Sequence, residues 1–265
     1  MNDSPTVLIT GGSHGIGLEL ARLFARDGYR LILVSKPPKE LAKAKALLEK
    51  SFPGVEIHTQ AIDLAVPEAP PRVHAYVQGL GKPVDVLVNN AGFGSYGFIN
   101  EVSVEKELTM IQLHVATLYH LTRLFLEDMI ERNKGHIINL SSISALQPSP
   151  MLSTYAATKS FVLQFSRAIN YELKEKGTQV RVTAVCPMAT RGTGFQSGAD
   201  MDNTNTFDNW MTTTPEVVAR DAYAALKSKR DFVIPGQGFE LLQRFVRHLP
   251  DWLQMRIARE NLKRR

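Results

Sequence analysis

Tyr155 and Lys159 stand four residues apart in the run Thr154-Tyr155-Ala156-Ala157-Thr158-Lys159, at the start of a helical pattern. That spacing puts both side chains on one helix face, a turn apart. A tyrosine with its ordinary pKa of about 10 is a poor base near neutrality. An ammonium beside it favours the phenolate and lowers that value. Ser142 follows a strand-like run and precedes Tyr155 by 13 residues. From there its hydroxyl would hydrogen-bond a substrate oxygen while Tyr155 gives or takes the proton. Each residue alone is commonplace, because a Tyr-x-x-x-Lys is usually surface and a serine after a strand is usually part of a turn.

A second constellation lies near the N-terminal end, in Thr10-Gly11-Gly12-Ser13-His14-Gly15-Ile16-Gly17. Gly11, Gly15 and Gly17 follow the pattern Gly-x-x-x-Gly-x-Gly. Glycines allow a tight turn and close approach of the backbone to a pyrophosphate, and the helix N-terminus that follows offers free N–H donors. Such patterns also match by chance, so the place of this one between a strand and a helix is what gives it weight. The next strand ends Leu33-Val34-Ser35-Lys36-Pro37-Pro38, with no acid before Glu40. An NAD site holds the ribose 2′-hydroxyl with an Asp or Glu here. Without one there is room for a 2′-phosphate, to which Ser35 would donate a hydrogen bond and Lys36 a charge, with His14 as a further donor. The reading favours NADP(H) over NAD(H). The plain alternative is that Lys36 is a solvated turn residue.

These residues need a scaffold that brings strand ends and helix starts to one edge. Apolar strand-like runs occur at residues 6–10, 30–34, 55–61, 84–88, 136–140, 179–186 and 231–234. Helical spacing occurs at 16–26, 39–52, 154–176 and 215–229, and through Val104, Leu108, Ile111, Val115, Leu118, Leu121, Phe125 and Met129. The alternation predicts an α/β fold: a single doubly wound parallel sheet with helices on both faces, Rossmann-like. One domain is expected over residues 1–238, with residues 188–214 as a lid over the sheet edge. Phe207, Trp210 and Met211 would wall a substrate site or pack the lid onto the body.

In combination the chain resembles the short-chain dehydrogenase/reductase family. The matching residues are the glycine turn, Asp63-Leu64, Asn89-Asn90-Ala91-Gly92, Ser142, and Tyr155 with Lys159. The resemblance runs from about Thr6 to about Pro235. It implies hydride transfer between a nicotinamide cofactor and a carbonyl or alcohol carbon of a small molecule. Asp63 and Leu64 would contact the adenine, and Asn90, Ala91 and Gly92 would line the cofactor. Lys159 would also bind the nicotinamide ribose, and Pro187 and Thr190 the carboxamide. Family members form dimers or tetramers through two long helices, here around 104–130 and 154–176. Two positions depart from the pattern. His114 replaces the asparagine of a water-linked proton relay, either supplying it or packing in its place, and Met188 stands where Pro-Gly is usual. A protein that binds NADP(H) without turnover, as a sensor or scaffold, is the alternative to an enzyme.

Other chemistries find little support. No His-Glu-x-x-His or Cys/His cluster suggests a metal, and no Gly-x-Ser-x-Gly elbow suggests a hydrolase. Cys186 reads as a small buried hydrophobe. With one cysteine and no basic or apolar leader in Met1-Asn2-Asp3-Ser4-Pro5, the reducing cytoplasm is expected. The net charge of +5 is mostly local: Arg244, Arg247, Arg256, Arg259, Lys263, Arg264 and Arg265 outweigh three acids beyond residue 239. Nucleic acid is therefore not an expected partner. The tail, 239–265, reads as a basic amphipathic helical segment packed on the body or on a partner subunit. Contact with an anionic membrane surface is the lesser alternative, since Pro250 interrupts the pattern.

Overall fold

Val7, Leu8 and Ile9 have no solvent exposure, because their strand lies mid-sheet between two layers of helices. The computed structural model describes residues 4–208, 210–246 and 248–263. The readings made on Met1–Asp3, Arg247, Arg264 and Arg265, and on the side chains of Arg244 and Phe245, lie outside the described residues. The strands are β1 (Thr6–Thr10), β2 (Arg30–Ser35), β3 (Ile57–Ala61), β4 (Val86–Asn89), β5 (His136–Leu140), β6 (Arg181–Val185) and β7 (Phe232–Val233). All pair in parallel in the order β3-β2-β1-β4-β5-β6-β7. The order reverses between β1 and β4, and the crevice beyond those strand ends is where this architecture binds ligands.

Helix α1 (Gly15–Arg26) packs Leu20 and Phe24 on one sheet face, together with α2 (Pro38–Ser51) and α8 (Pro215–Lys227). The opposite face is covered by α3 (Ala69–Gly79), α5 (Leu118–Glu131) and α6 (Ser153–Glu175), through Val73, Phe125 and Ile169. Alternation along β1 feeds both cores: Val7 and Ile9 enter the first and Leu8 the second.

The sequence reading missed α3. Its start, Ala69-Pro70-Pro71, looks like a break, yet proline suits a first helical turn, where its absent N–H is not needed. The long helix expected from Val104 is interrupted. After α4 (Val104–Ile111) comes a π-helical stretch, Gln112–Thr117, before α5 begins. Its wider turn buries His114 and Thr117, and Thr117 Oγ1 donates to Leu64 O at 2.7 Å. The tail forms two helices, α9 (Phe239–Val246) and α10 (Asp251–Asn261), with Pro250 as the N-cap of the second. No described helix is long and apolar enough to cross a membrane.

Candidate active site

The glycine turn leaves β1 with Gly11 at φ +65° and reaches α1 through Gly15 at φ +55°, both in the region that favours glycine. Asn90 Nδ2 clamps the turn, donating to Thr10 O at 3.0 Å and Gly11 O at 3.1 Å. A Cβ on Gly17 would lie 2.3 Å from Gly11 O, so this glycine is needed for the helix to sit against the turn. His14 occupies the N-cap of α1 without a side-chain cap hydrogen bond. The first N–H groups of the helix therefore remain available to an anion at its end.

Beyond this turn runs a cavity of about 450 Å³ along the strand ends. Its wall holds Gly11, His14, Gly15, Ile16, Ser35 and Lys36 at one end, Asp63, Leu64, Asn90, Ala91 and Gly92 in the middle, and Ser142, Tyr155, Lys159, Pro187 and Thr190 at the other. Among the cofactor residues expected from sequence, Ser13 and Gly17 stand outside this wall. Ser13 is buried, with its Oγ 3.0 Å from His14 Nδ1 and 3.1 Å from Ser35 Oγ, and so ties the turn to the end of β2. Gly17 acts through helix packing, as above.

Lys36 Nζ lies 2.6 Å from Asp63 Oδ2, and this contact holds the Asp63 carboxyl below its ordinary range, helped by the Ala65 N–H. The lysine side chain is 73% exposed. Such a surface pair is worth about 0–1 kcal/mol, so a phosphate could draw the lysine away. The cradle thus fits a dinucleotide: free helix N–H groups, close backbone at Gly11, and a serine and a lysine but no acid at the end of β2.

At the far end, Ser142 opens a short 3₁₀ turn, Ile143–Leu146, and its Oγ accepts from Ser144 N at 3.2 Å. The Ser142 hydroxyl also pulls the Tyr155 phenol pKa down. Burial outweighs that and pushes Tyr155 up to about 12. This corrects the expectation of a lysine-lowered phenol. Lys159 Nζ lies 5.8 Å from the Tyr155 ring centroid and donates instead to Leu140 O at 2.9 Å. Its own pKa is pulled down to about 8 by burial. Ser141 Oγ donates to Lys159 O at 2.7 Å and pins α6 to the end of β5. As it stands the site holds a protonated tyrosine, a proton donor.

His114 lies beneath this site, outside the cavity wall. Phe93 N donates to its Nε2 at 3.2 Å, and its Nδ1 is 3.0 Å from Thr158 Oγ1, which itself donates to Tyr155 O. Nδ1 therefore carries the proton. Burial, and then the charge of Lys159, hold the ring well below its ordinary pKa. In this arrangement neither ring nitrogen is free to hold a relay water. A Cβ on Gly92 would come 2.7 Å from His114 Nε2, so the histidine also explains why glycine stands there.

A second cavity, about 190 Å³, opens from Ser142 and Tyr155 on the side away from the glycine turn. The segment from Met188 closes over it. Thr190 and Thr213 bridge its base, and Phe195, at the start of α7 (Phe195–Gly198), packs 5.1 Å from the Tyr155 ring. Met188 needs no left-handed backbone, and its side chain lines the cavity. Phe207 and Met211 line it too, whereas Trp210 is 75% exposed. The sequence reading missed the tail's part in this wall: Leu242, Val246, Ile257 and Leu262 form one side. Tyr96 anchors the tail by donating to Leu262 O, and Leu241 and Trp252 face outward. Cys186 is fully buried, and burial pushes its thiol up to about 12.

Comparison with known proteins agrees with this fold. A family model described as short chain dehydrogenase matches residues 5–203. The NADP-dependent 3-hydroxy acid dehydrogenase YdfG of Salmonella typhimurium is 36% identical over 216 residues, covering 79% of this chain and 84% of the relative. Among solved structures, a short-chain dehydrogenase from Sphingobium yanoikuyae in complex with NADPH is 28% identical, with a TM-score of 0.80 over 93% of this chain and 96% of that one. A bulky-bulky ketone specific alcohol dehydrogenase from Comamonas testosteroni is 26% identical, with a TM-score of 0.77 over 98% and 94%. The chain belongs to the short-chain dehydrogenase family of oxidoreductases, on the match of its sequence and of its whole fold.

Proposed function

We propose that this protein is an NADP(H)-dependent reductase of apolar carbonyl compounds, with Tyr155 as the acid/base. One observation carries the reading: Ser142, Tyr155 and Phe195 line both cavities, so the proton donor stands where a dinucleotide cradle meets an apolar chamber. The bound cofactor would supply or accept the hydride. Ser142 orients the carbonyl oxygen, and Tyr155, held protonated by burial, delivers a proton to it. Lys159 would hold the ribose and set the charge beside Tyr155. Ser35, Lys36 and His14 face the place of a 2′-phosphate, and the NADP-dependent Salmonella relative and the NADPH-bound Sphingobium neighbour agree with that preference. Val104, Leu108 and Tyr171, exposed on α4 and α6, support pairing with another copy of the chain through those helices.

The test is NADPH oxidation, followed by absorbance, with a panel of apolar ketones and aldehydes. Wild type should turn over, and Tyr155→Phe should lose about 10²- to 10⁴-fold in kcat while still binding NADPH. Full activity in Tyr155→Phe would refute the assignment. Tight NADPH binding with no turnover of any carbonyl would favour a sensor or scaffold instead.

A further inference from the structure

Gln147 carries a buried side-chain oxygen, Oε1, that has no hydrogen-bond partner among the described residues. The same residue lines the apolar cavity that opens from Ser142 and Tyr155. We propose that Gln147 is a specificity-determining residue whose carboxamide oxygen accepts a hydrogen bond from a hydroxyl or N–H group on an uncharged, apolar carbonyl substrate, at a point remote from the reacting carbonyl. The inference rests on the reading of Ser142 and Tyr155 as the reacting end of that cavity.

A buried acceptor without a partner carries its full desolvation cost, so native proteins leave few of them. A leucine or methionine would fill an apolar wall without that cost. The Gln147 backbone is also held in place relative to the reacting end. The turn Ile143–Leu146 is the whole connection between Ser142 and Gln147. It is fixed by Ile143 N donating to Pro187 O at 2.9 Å, Ala145 N to Ser142 O at 3.0 Å, and Ser160 Oγ to Ala145 O at 2.9 Å. Beyond the turn, Ser149 Oγ donates to Gln147 O at 3.4 Å. Ser142 and Gln147 thus stand at the two ends of one rigid turn, one for the substrate's carbonyl oxygen and the other for a donor elsewhere on the molecule. A fixed pair of this kind selects substrates by the position of the donor.

The rest of the wall sets the charge. No Asp, Glu, Lys, Arg or His lines this cavity among the described residues. Arg167 and Glu240 border a separate cavity, on whose wall Gln147 and Gln243 also lie. A carboxylate or phosphate entering the chamber would therefore lose water without meeting a counter-ion. An uncharged substrate with one donor gives the Gln147 oxygen the partner it lacks.

The test uses benzylacetone and its para-hydroxy counterpart, uncharged ketones that differ by a single hydroxyl, with acetoacetate as the charged comparison. Binding to the wild-type NADPH complex is read by cofactor fluorescence, and turnover by NADPH oxidation. The hydroxylated ketone should bind roughly 5- to 100-fold more tightly than benzylacetone, and acetoacetate most weakly. Gln147→Met, which keeps the side-chain length, should erase the preference by weakening the hydroxylated ketone alone. Equal wild-type affinity for the two ketones, failure of both to bind, or a preference that survives in Gln147→Met would each overturn the proposal. If the preference follows Gln147 but neither ketone is reduced, the specificity role stands and the carbonyl-reductase reading falls.

Discussion

Lys159 holds an ammonium group wholly inside the protein, so removing it should make the cofactor-free chain more stable while abolishing turnover. Burial pulls its pKa from the ordinary 10.5 down to about 8. At about 1.36 kcal/mol per pH unit, that gap corresponds to about 3 kcal/mol lost at neutral pH to keeping the charge buried. Lys159→Met retains a long unbranched chain and removes the charge. It also deprives Leu140 O of its donor at 2.9 Å, which costs about 1 kcal/mol. The net gain is about 2 kcal/mol at pH 7, or roughly 4–8 °C in Tm for a chain of this size. The pH dependence follows from protons bound. Below about pH 8 both the folded and the unfolded chain hold the proton, and the penalty is present in full. As pH rises from about 8 to 10.5 the folded chain has released it and the unfolded chain has not, so the penalty fades. By about pH 9.5 the gain should fall by about 2 kcal/mol and nearly vanish. Calorimetric melts of wild type and variant at the two pH values, without cofactor, measure this. A variant that melts at or below wild type at pH 7, or a gain unchanged at pH 9.5, would refute the reasoning.

Lys36→Ala should weaken NADPH binding by about 1.5–3 kcal/mol, roughly 10- to 100-fold, and leave NADH unchanged, because the exchange of Asp63 for a phosphate would replace an exposed ion pair by a charge-assisted one. Fluorescence titration with both cofactors checks it, and equal losses for the two would count against a 2′-phosphate at this point. His114→Leu leaves Phe93 N without its acceptor and removes one of the two partners of Thr158 Oγ1, so Tm should drop by a few degrees, at about 1–3 kcal/mol for the orphaned N–H. Because burial keeps His114 neutral well below its ordinary pKa, the variant should leave the shape of the kcat profile between about pH 6 and 9 unaltered. A profile that changes shape would make the ring a proton carrier instead of a strut.

The sheet was legible because its strands are buried on both faces. Val7-Leu8-Ile9 and Leu31-Ile32-Leu33-Val34 can be continuous apolar runs only in a parallel sheet covered by helices, and the structure covers them so. The cofactor cradle was legible because it is built from strand ends and the turns that follow them, each carrying its signal within a few residues. Helix α3 was hidden behind Pro70 and Pro71, and the π-helical stretch at Gln112–Thr117 keeps the apolar spacing of an ordinary helix while changing which side chains turn inward. The tyrosine's protonation was misjudged for a related reason. Spacing places an ammonium near Tyr155, but only burial decides whether charge or desolvation wins, and burial is completed by Phe195 and Met201, far from the motif in the chain.

The cavity beside Ser142 and Tyr155 was illegible because its wall is made mostly of hydrophobes. Met188, Phe207, Leu242 and Ile257 come from the lid and from two tail helices, and nothing local separates a hydrophobe facing a cavity from one facing a core. The basic residues of the tail drew attention to its outer surface, while its work for the site is done by the inner faces of α9 and α10. Among the polar side chains that interrupt this wall, Gln147 is set apart by an oxygen left unpaired where burial makes that costly, the feature on which the proposed recognition rests. Along the chain Gln147 is only a residue beside a loop serine. Folded, it is the point where the chamber asks for more than an apolar shape.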